Sequence, residues 1–132
     1  MKDLPARESV PNRTVLFTGR FDDPHIGHIA TIQRLGAMFD KVIVVVLDYP
    51  QQRHPIDHRF DVLRTVLARC MGNYEIVTNQ VNFENATKDE VAKYTFNVYA
   101  SGNPKCIDRM KSLGYDCLST ARSWDYAASK MP

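Results

Sequence analysis

The chain has 132 residues, 44% of them hydrophobic and 24% charged, which is the composition of one globular domain with a hydrophobic core. Its net charge of +2, without a run of Lys or Arg, argues against a nucleic-acid partner. No stretch reaches the roughly 18 apolar residues of a membrane span, so no membrane partner is expected.

The N-terminal segment and the cysteines indicate the compartment. Residues 1–13 are polar, hold no apolar signal core and are predicted to be an arm, with residues 14–132 forming the domain. Cys70, Cys106 and Cys117 are odd in number and widely spaced. They are interpreted as reduced, mostly buried thiols of a cytoplasmic protein.

Apolar and β-branched runs predict five strands. They occupy residues 14–18, 42–47, 74–77, 96–100 and 115–118. The second run is continuously apolar, as in a central parallel strand that is buried on both faces.

Helical spacing predicts the first two helices that alternate with these strands. Their inner faces are expected to carry Ile29, Ile32, Leu35 and Met38 in the first helix, and Phe60, Leu63, Leu67 and Cys70 in the second. Asp57 is predicted to cap the second helix.

Capping signals predict two further helices. Thr87 and Glu90 have the spacing of a capping box that opens a short third helix. Asn103 caps the fourth helix, Pro104 starts it and Gly114 ends it. The alternation of strands and helices predicts an α/β fold: a Rossmann-like, doubly wound, five-stranded parallel sheet with helices on both faces.

Two histidines lie where the first strand turns into the first helix. His25 and His28 flank Gly27 about one turn apart, and Asp23 and Pro24 suit a helix start. The carboxyl end of a strand is where α/β sheets bind ligands, and a helix N-terminus attracts phosphate. A helix start with surface histidines is the alternative, and a zinc pair is disfavoured because no Cys-rich ligand set accompanies it.

The segment from Gly19 to His28 resembles the signature of the HxGH nucleotidyltransferase superfamily, the cytidylyltransferase-like enzymes. Its His-x-Gly-His is complete, and the upstream Gly19, Phe21, Asp22 and Pro24 also match. The resemblance implies transfer of a nucleoside monophosphate from a nucleoside triphosphate to a phosphate-bearing acceptor, with release of pyrophosphate.

The resemblance also implies roles for individual residues. His25, His28 and Arg20 are the implied catalytic residues, which hold phosphates by hydrogen bonds and positive charge. No general base is needed because the acceptor phosphate is already a nucleophile. Mg²⁺ is expected to be carried on the triphosphate, without a metal site of the protein's own. The implied nucleotide-binding residues are Thr18, Gly19, Phe21, Gly27, Ser101, Gly102, Asn103, Ser129 and Lys130.

Two segments indicate a substrate. Ser101-Gly102-Asn103-Pro104 resembles a segment of the archaeal-type nicotinamide mononucleotide adenylyltransferases, although a plain helix cap also explains Asn103 and Pro104. Arg20 after Gly19 is more typical of the archaeal-type and bifunctional nicotinamide nucleotide adenylyltransferases, whereas cytidylyltransferases and phosphopantetheine adenylyltransferases usually carry Thr or Ser at this position. Both features favour ATP as the donor and nicotinamide mononucleotide as the acceptor.

Three residues are predicted to bind the acceptor. Arg53 and Arg59 lie where the superfamily carries a basic residue that contacts the triphosphate or the acceptor, and a solvated helix start is the alternative for Arg59. Trp124 is predicted to stack on a nicotinamide or adenine ring, with a core position as the alternative.

The superfamily's closing motif, Ile-Ser-x-Thr-x-x-Arg, matches in two registers. Ser129 with Lys130 is preferred over Ser119 with Arg122, because the latter pair directly follows the fifth strand. Pro132 stands where the motif has Arg, so a truncated last helix and reduced activity are expected.

The predicted function is therefore transfer of AMP from ATP to nicotinamide mononucleotide or a related phosphate acceptor. A CTP-dependent cytidylyltransferase of the glycerol-3-phosphate type and a non-catalytic nucleotide-binding module are the alternatives. A homo-oligomer is left open.

Overall fold

The apolar runs form the strands of one sheet. The computed structural model describes residues 13–21, 26–48, 54–121, 124 and 126–127. The strands are β1 (Thr14–Gly19), β2 (Lys41–Leu47), β3 (Tyr74–Asn79), β4 (Val98–Ser101), β5 (Asp116–Ser119) and β6 (Tyr126–Ala127). The helices are α1 (Ile26–Met38), α2 (Ile56–Leu67), α3 (Lys88–Val91) and α4 (Pro104–Ser112).

The strand order is that of a doubly wound sheet. Within the described residues it runs β3-β2-β1-β4-β5-β6, and β1 to β5 are parallel. The predicted five-stranded Rossmann-like sheet is thereby confirmed. The sequence did not predict β6, which pairs antiparallel with β5 through Leu118 and Tyr126.

Helices cover both faces because neighbouring residues of each strand point to opposite sides. Phe17 and Val44 belong to a buried cluster with Leu35 of α1 and Leu63 of α2. The opposite cluster contains Leu16, Val45 and Tyr99 of the strands, Val91 of α3, and Met110 and Cys106 of α4. Continuous apolar runs such as residues 42–47 are therefore required, since both faces of the sheet are buried.

Most of the predicted helix ends are confirmed. Thr87 and Glu90 form the capping box of α3, and the Asn103 side chain accepts a hydrogen bond from the Lys105 backbone N–H at 2.9 Å. Gly114 follows α4 with φ +97°, which favours glycine.

Other local predictions need correction. Pro55, not Asp57, is the N-cap residue of α2 and makes no side-chain cap, and Asp57 lies inside the first turn. Met38 is 42% exposed, and Phe39 is buried in its place. Cys106 and Cys117 are buried free thiols as predicted, whereas Cys70 is half-buried.

The chain winds in opposite directions from β1. Strands β2 and β3 lie on one side of it and β4 and β5 on the other, so the order reverses between β1 and β4. Such a reversal leaves a crevice outside the carboxyl ends of the two strands. No helix among the described residues is long and apolar enough to cross a membrane.

Candidate active site

A cavity of about 430 Å³ opens at this reversal point. Phe17, Thr18 and Leu47 form its floor. One side, which we call the α1 wall, consists of Gly19, Arg20, Phe21, Gly27, His28 and Thr31. The opposite side, the α4 wall, consists of Glu84, Ser101, Gly102, Asn103, Cys106 and Thr120.

The α1 wall is built around the ring of Phe21. Phe21 has φ 50°, a conformation that is uncommon for a residue with a side chain of this size, and the residue is only 4% exposed. A Cβ on Gly19 would lie 3.0 Å from the Phe21 Cζ atom. Glycine at position 19 therefore leaves room for the ring to fold back over the end of β1.

The Phe21 ring also positions His28. Its edge meets the imidazole at a centroid distance of 5.3 Å and an interplanar angle of 86°, and it meets the Phe17 ring at 5.7 Å. Such edge-to-face contacts are favourable arrangements of aromatic rings. His28 is half-buried and lines the cavity in the first turn of α1, where backbone N–H groups attract anions.

The α4 wall is held by hydrogen bonds at the start of α4. The Asn103 backbone N–H donates to the Ser101 Oγ at 3.0 Å, and the Asn103 Nδ2 donates to the Glu84 Oε2 at 2.9 Å. The Thr120 backbone N–H donates to the Ser101 carbonyl at 3.0 Å. Three loops thus meet here, following β3, β4 and β5, and the carboxylate of Glu84 is fixed at the cavity surface.

A neutral polar pair joins β1 to β4 at the cavity floor. The hydroxyl groups of Thr18 and Tyr99 lie 2.6 Å apart, and both residues are buried. Burial raises the pKa of Tyr99 well above 10.0, and burial also raises the pKa of the Cys106 thiol beside it. Both groups therefore stay protonated at neutral pH and act as uncharged hydrogen-bonding partners.

A family comparison covers most of this arrangement. A model of the cytidylyltransferase-like family matches residues 16–102, from β1 to the α4 wall. The chain belongs to this family. The resemblance predicted from His28 and its neighbours is thereby confirmed at the level of the family.

Individual relatives match shorter parts of this cytidylyltransferase-like chain. Over 40 residues it is 50% identical to a phosphopantetheine adenylyltransferase of Natranaerobius thermophilus. This match covers 30% of this chain and 25% of the relative. Over 58 residues it is 36% identical to a phosphopantetheine adenylyltransferase of Kocuria rhizophila. This match covers 42% of this chain and 37% of the relative. The chain thus matches only 25% and 37% of the length of these two curated relatives.

The cavity brings together many of the residues that the motif resemblance singled out. Thr18, Gly19, Arg20, Phe21, Gly27, His28, Ser101, Gly102 and Asn103 all line it. His25, Arg53, Ser129 and Lys130 lie outside the described residues, as do Asp22, Asp23, Pro24 and Arg122. The described residues contain no group of three His, Cys, Asp or Glu side chains that could hold a metal ion.

Arg59 is placed differently from both predictions. Its side chain is fully buried, so the solvated helix start is wrong. The guanidinium donates to three backbone carbonyl oxygens, those of Arg20, Leu47 and His54. Arg59 is not part of the cavity wall, so this geometry offers it no direct contact with an acceptor phosphate.

Trp124 is also turned away from the predicted contact. The guanidinium of Arg34 lies 3.9 Å from the centroid of the indole ring, and the ring packs against the buried cluster under α1 and α2. The residue does not line the cavity. Its placement fits the alternative of a core position rather than stacking on a substrate ring.

Sequence reasoning missed several residues of the α4 wall. Thr120 directly follows β5, as Gly102 directly follows β4, so the rule that strand ends converge could have found it. Glu84 lies in a loop without a recognisable motif, and only its contact with Asn103 brings it to the cavity.

Proposed function

We propose that the chain transfers AMP from ATP to an acceptor that carries a phosphate, and releases pyrophosphate. One observation carries the proposal: a single cavity at the reversal of the sheet joins His28 and Arg20 on the α1 wall to the start of α4. Membership in the cytidylyltransferase-like family supports the same class of reaction.

The charges of the two walls orient the substrates. Arg20 and the first turn of α1 favour phosphate on the α1 wall, whereas the carboxylate of Glu84 disfavours it on the α4 wall. The triphosphate and the acceptor phosphate are therefore assigned to the α1 wall. The nucleoside is assigned to the α4 wall, where Ser101, Gly102 and Asn103 lie.

Catalysis in this arrangement is positioning and charge stabilisation. An oxygen of the acceptor phosphate attacks the α-phosphorus of ATP. The bond from that phosphorus to the oxygen bridging to the β-phosphorus breaks, and pyrophosphate leaves with the electron pair. His28 and Arg20 donate hydrogen bonds to phosphate oxygens whose charge grows during transfer, with His25 as the proposed second histidine donor and Mg²⁺ carried on the triphosphate.

Two acceptors have support from different observations. The relatives are named phosphopantetheine adenylyltransferases, which favours phosphopantetheine. Arg20 and the Ser101-Gly102-Asn103 segment resemble nicotinamide mononucleotide adenylyltransferases, and all four residues line the cavity. Both compounds present a phosphate monoester, which is the chemistry that Arg20 and His28 would bind.

A matrix of substrates tests the proposal. The chain is incubated with Mg²⁺ and either ATP or CTP, each with phosphopantetheine, nicotinamide mononucleotide or glycerol 3-phosphate, and pyrophosphate is measured. We expect pyrophosphate with ATP and one of the first two acceptors. Pyrophosphate only with CTP would contradict the choice of donor, and nucleotide binding without pyrophosphate in any mixture would favour the non-catalytic module.

A further inference from the structure

One fully buried arginine ties together the segments on which the cavity rests. The Arg59 Nη1 donates to the carbonyl oxygens of both Arg20 and Leu47, the latter at 2.9 Å. Both of these residues line the cavity. A single nitrogen thus joins the turn after β1 to the end of β2.

The rest of the guanidinium extends this connection to the start of α2. The Nε donates to the His54 carbonyl at 3.1 Å, and the Nη2 lies 3.7 Å from the Asp48 Oδ1. A fully buried cation has a high desolvation cost unless partners surround it. Three backbone carbonyl oxygens accept hydrogen bonds from the guanidinium here, and the Asp48 carboxylate adds an opposite charge, so both offset part of that cost.

Lysine cannot replace this arrangement. A guanidinium has five N–H donors in a fixed planar fork, whereas an ammonium is a compact point charge at the end of a flexible stem. Partners on three separate segments, Arg20, Leu47 and His54, need donors with fixed directions.

We propose that Arg59 is a positioning residue of the nucleotide site and acts through Arg20. It holds the Arg20 carbonyl from behind, which sets the direction in which the Arg20 side chain enters the cavity. The inference rests on the proposed function in one respect, namely that Arg20 binds triphosphate.

A double-mutant cycle tests the proposal. Arg59→Lys and Arg59→Met are made in the wild-type chain and in Arg20→Ala, and the Kd for ATP with Mg²⁺ is measured by calorimetry. Because contacting residues couple, we expect Arg59→Lys to weaken ATP binding about 10-fold in the wild type and less than about 3-fold in Arg20→Ala. Arg59→Lys keeps the charge and the stem, so it serves as the folded variant if Arg59→Met unfolds.

Arg109 supplies the matched control. It is half-buried in α4, its Nε donates to the Ala86 carbonyl at 2.8 Å, and it does not line the cavity. Arg109→Lys should change the Kd less than about 2-fold in either background, as expected for distant, uncoupled sites. The same loss for Arg59→Lys in both backgrounds, or an equal loss for Arg109→Lys, would overturn the proposal.

Measuring ATP binding and pyrophosphate release separately distinguishes a failure of this inference from a failure of the proposed function. A wild-type chain that binds ATP but releases no pyrophosphate would contradict the proposed function, and the cycle on Kd would still decide the role of Arg59. A wild-type chain that does not bind ATP would overturn both.

Discussion

The two walls of the cavity face each other but are stabilised by different forces. The α1 wall carries the charged Arg20 and the ring of His28. The Phe21 ring packs against His28, and the buried Arg59 donates a hydrogen bond to the Arg20 carbonyl from behind the wall. The α4 wall is held by hydrogen bonds between its own polar groups and lies over a neutral pair, Thr18 and Tyr99.

This difference separates two tasks. Ring packing and a buried cation support the α1 wall without using the groups that would bind phosphate. The polar groups of the α4 wall are partly occupied by one another, so they shape the cavity more than they supply charge. We therefore expect loss of the charged and imidazole side chains of the α1 wall to affect turnover most, and changes in the packing and hydrogen bonds that support either wall to affect stability and binding.

The largest effect is expected for His28→Ala. Loss of a donor that stabilises charge in the transition state costs about 2.7–4 kcal/mol, or roughly a hundredfold to a thousandfold in rate. Pyrophosphate release measures the change, with circular dichroism as the check on folding. His58→Ala, on the exposed side of α2, is the control and should leave the rate unchanged. Wild-type activity in His28→Ala would remove the catalytic role of this histidine.

Paired glycine substitutions compare the walls directly. In Gly19→Ala the new methyl group would lie 3.0 Å from the buried Phe21 ring, and such overpacking costs about 1–3 kcal/mol. In Gly102→Ala the nearest neighbour is the Thr120 Oγ1 at 3.5 Å, an ordinary contact, so we expect a loss below about 1 kcal/mol. Urea unfolding measures both. Equal losses would contradict the view that only the α1 wall depends on tight ring packing.

Tyr99→Phe tests the neutral pair under the cavity. Removing this hydroxyl takes a partner from the buried Thr18 Oγ1, which should cost about 1–2 kcal/mol of unfolding free energy and weaken ATP binding. Tyr94→Phe is matched, because its hydroxyl accepts a hydrogen bond from Asn79 Nδ2 that is also 2.6 Å long but lies away from the cavity. Weaker ATP binding in Tyr94→Phe as well would show that the effect is general rather than local.

Alkaline pH should lower the free energy of unfolding through Cys117, which is buried on the α4 side of the sheet. Burial raises the pKa of Cys117 from 9.0 to about 12. The unfolded chain loses this proton first, so the stabilisation is complete below pH 9.0 and is lost as the pH rises toward 12. Cys117 therefore gives stability no dependence on pH near neutrality, and the slope appears only in alkali.

Cys117→Ala should reduce this alkaline slope, as measured by urea unfolding at a series of pH values, and the part that remains comes from other buried groups such as Tyr99 and Cys106. Val91→Ala removes apolar volume from the same cluster without removing a titrating group, so it should lower stability at every pH and keep the wild-type slope. An unchanged slope in Cys117→Ala would rule out this thiol as its source.

The fold was predictable because each strand is marked by its own apolar run and each crossover by a helix pattern. The site was predictable in part, since parallel strands bring their ends together: Gly19 at the end of β1 and Ser101 at the end of β4 line the same cavity although they are far apart in the chain. Contacts between loops, such as that of Glu84 with Asn103, leave no periodic signal and could not be predicted.

Arg59 shows a signal that was present but misinterpreted. It precedes Leu63 by four residues and Leu67 by eight, so it lies on the buried stripe of α2. Phe60 was assigned to that stripe because it is apolar, and it is only half-buried. A charged residue at the spacing of a core position therefore indicates a buried, partnered cation rather than a surface contact.

The order of strands has a consequence for how the chain folds. Strands β1, β2 and β3 follow one another through two crossover helices, whereas β1 meets β4 across 83 residues, as in the pairing of Val15 with Val98. Contacts between such distant residues have a larger loop-closure cost, so we expect β4 to dock after the β1–β3 half has formed. The cavity spans this late junction. A ligand bound there would stabilise the docking of the two halves rather than either half alone.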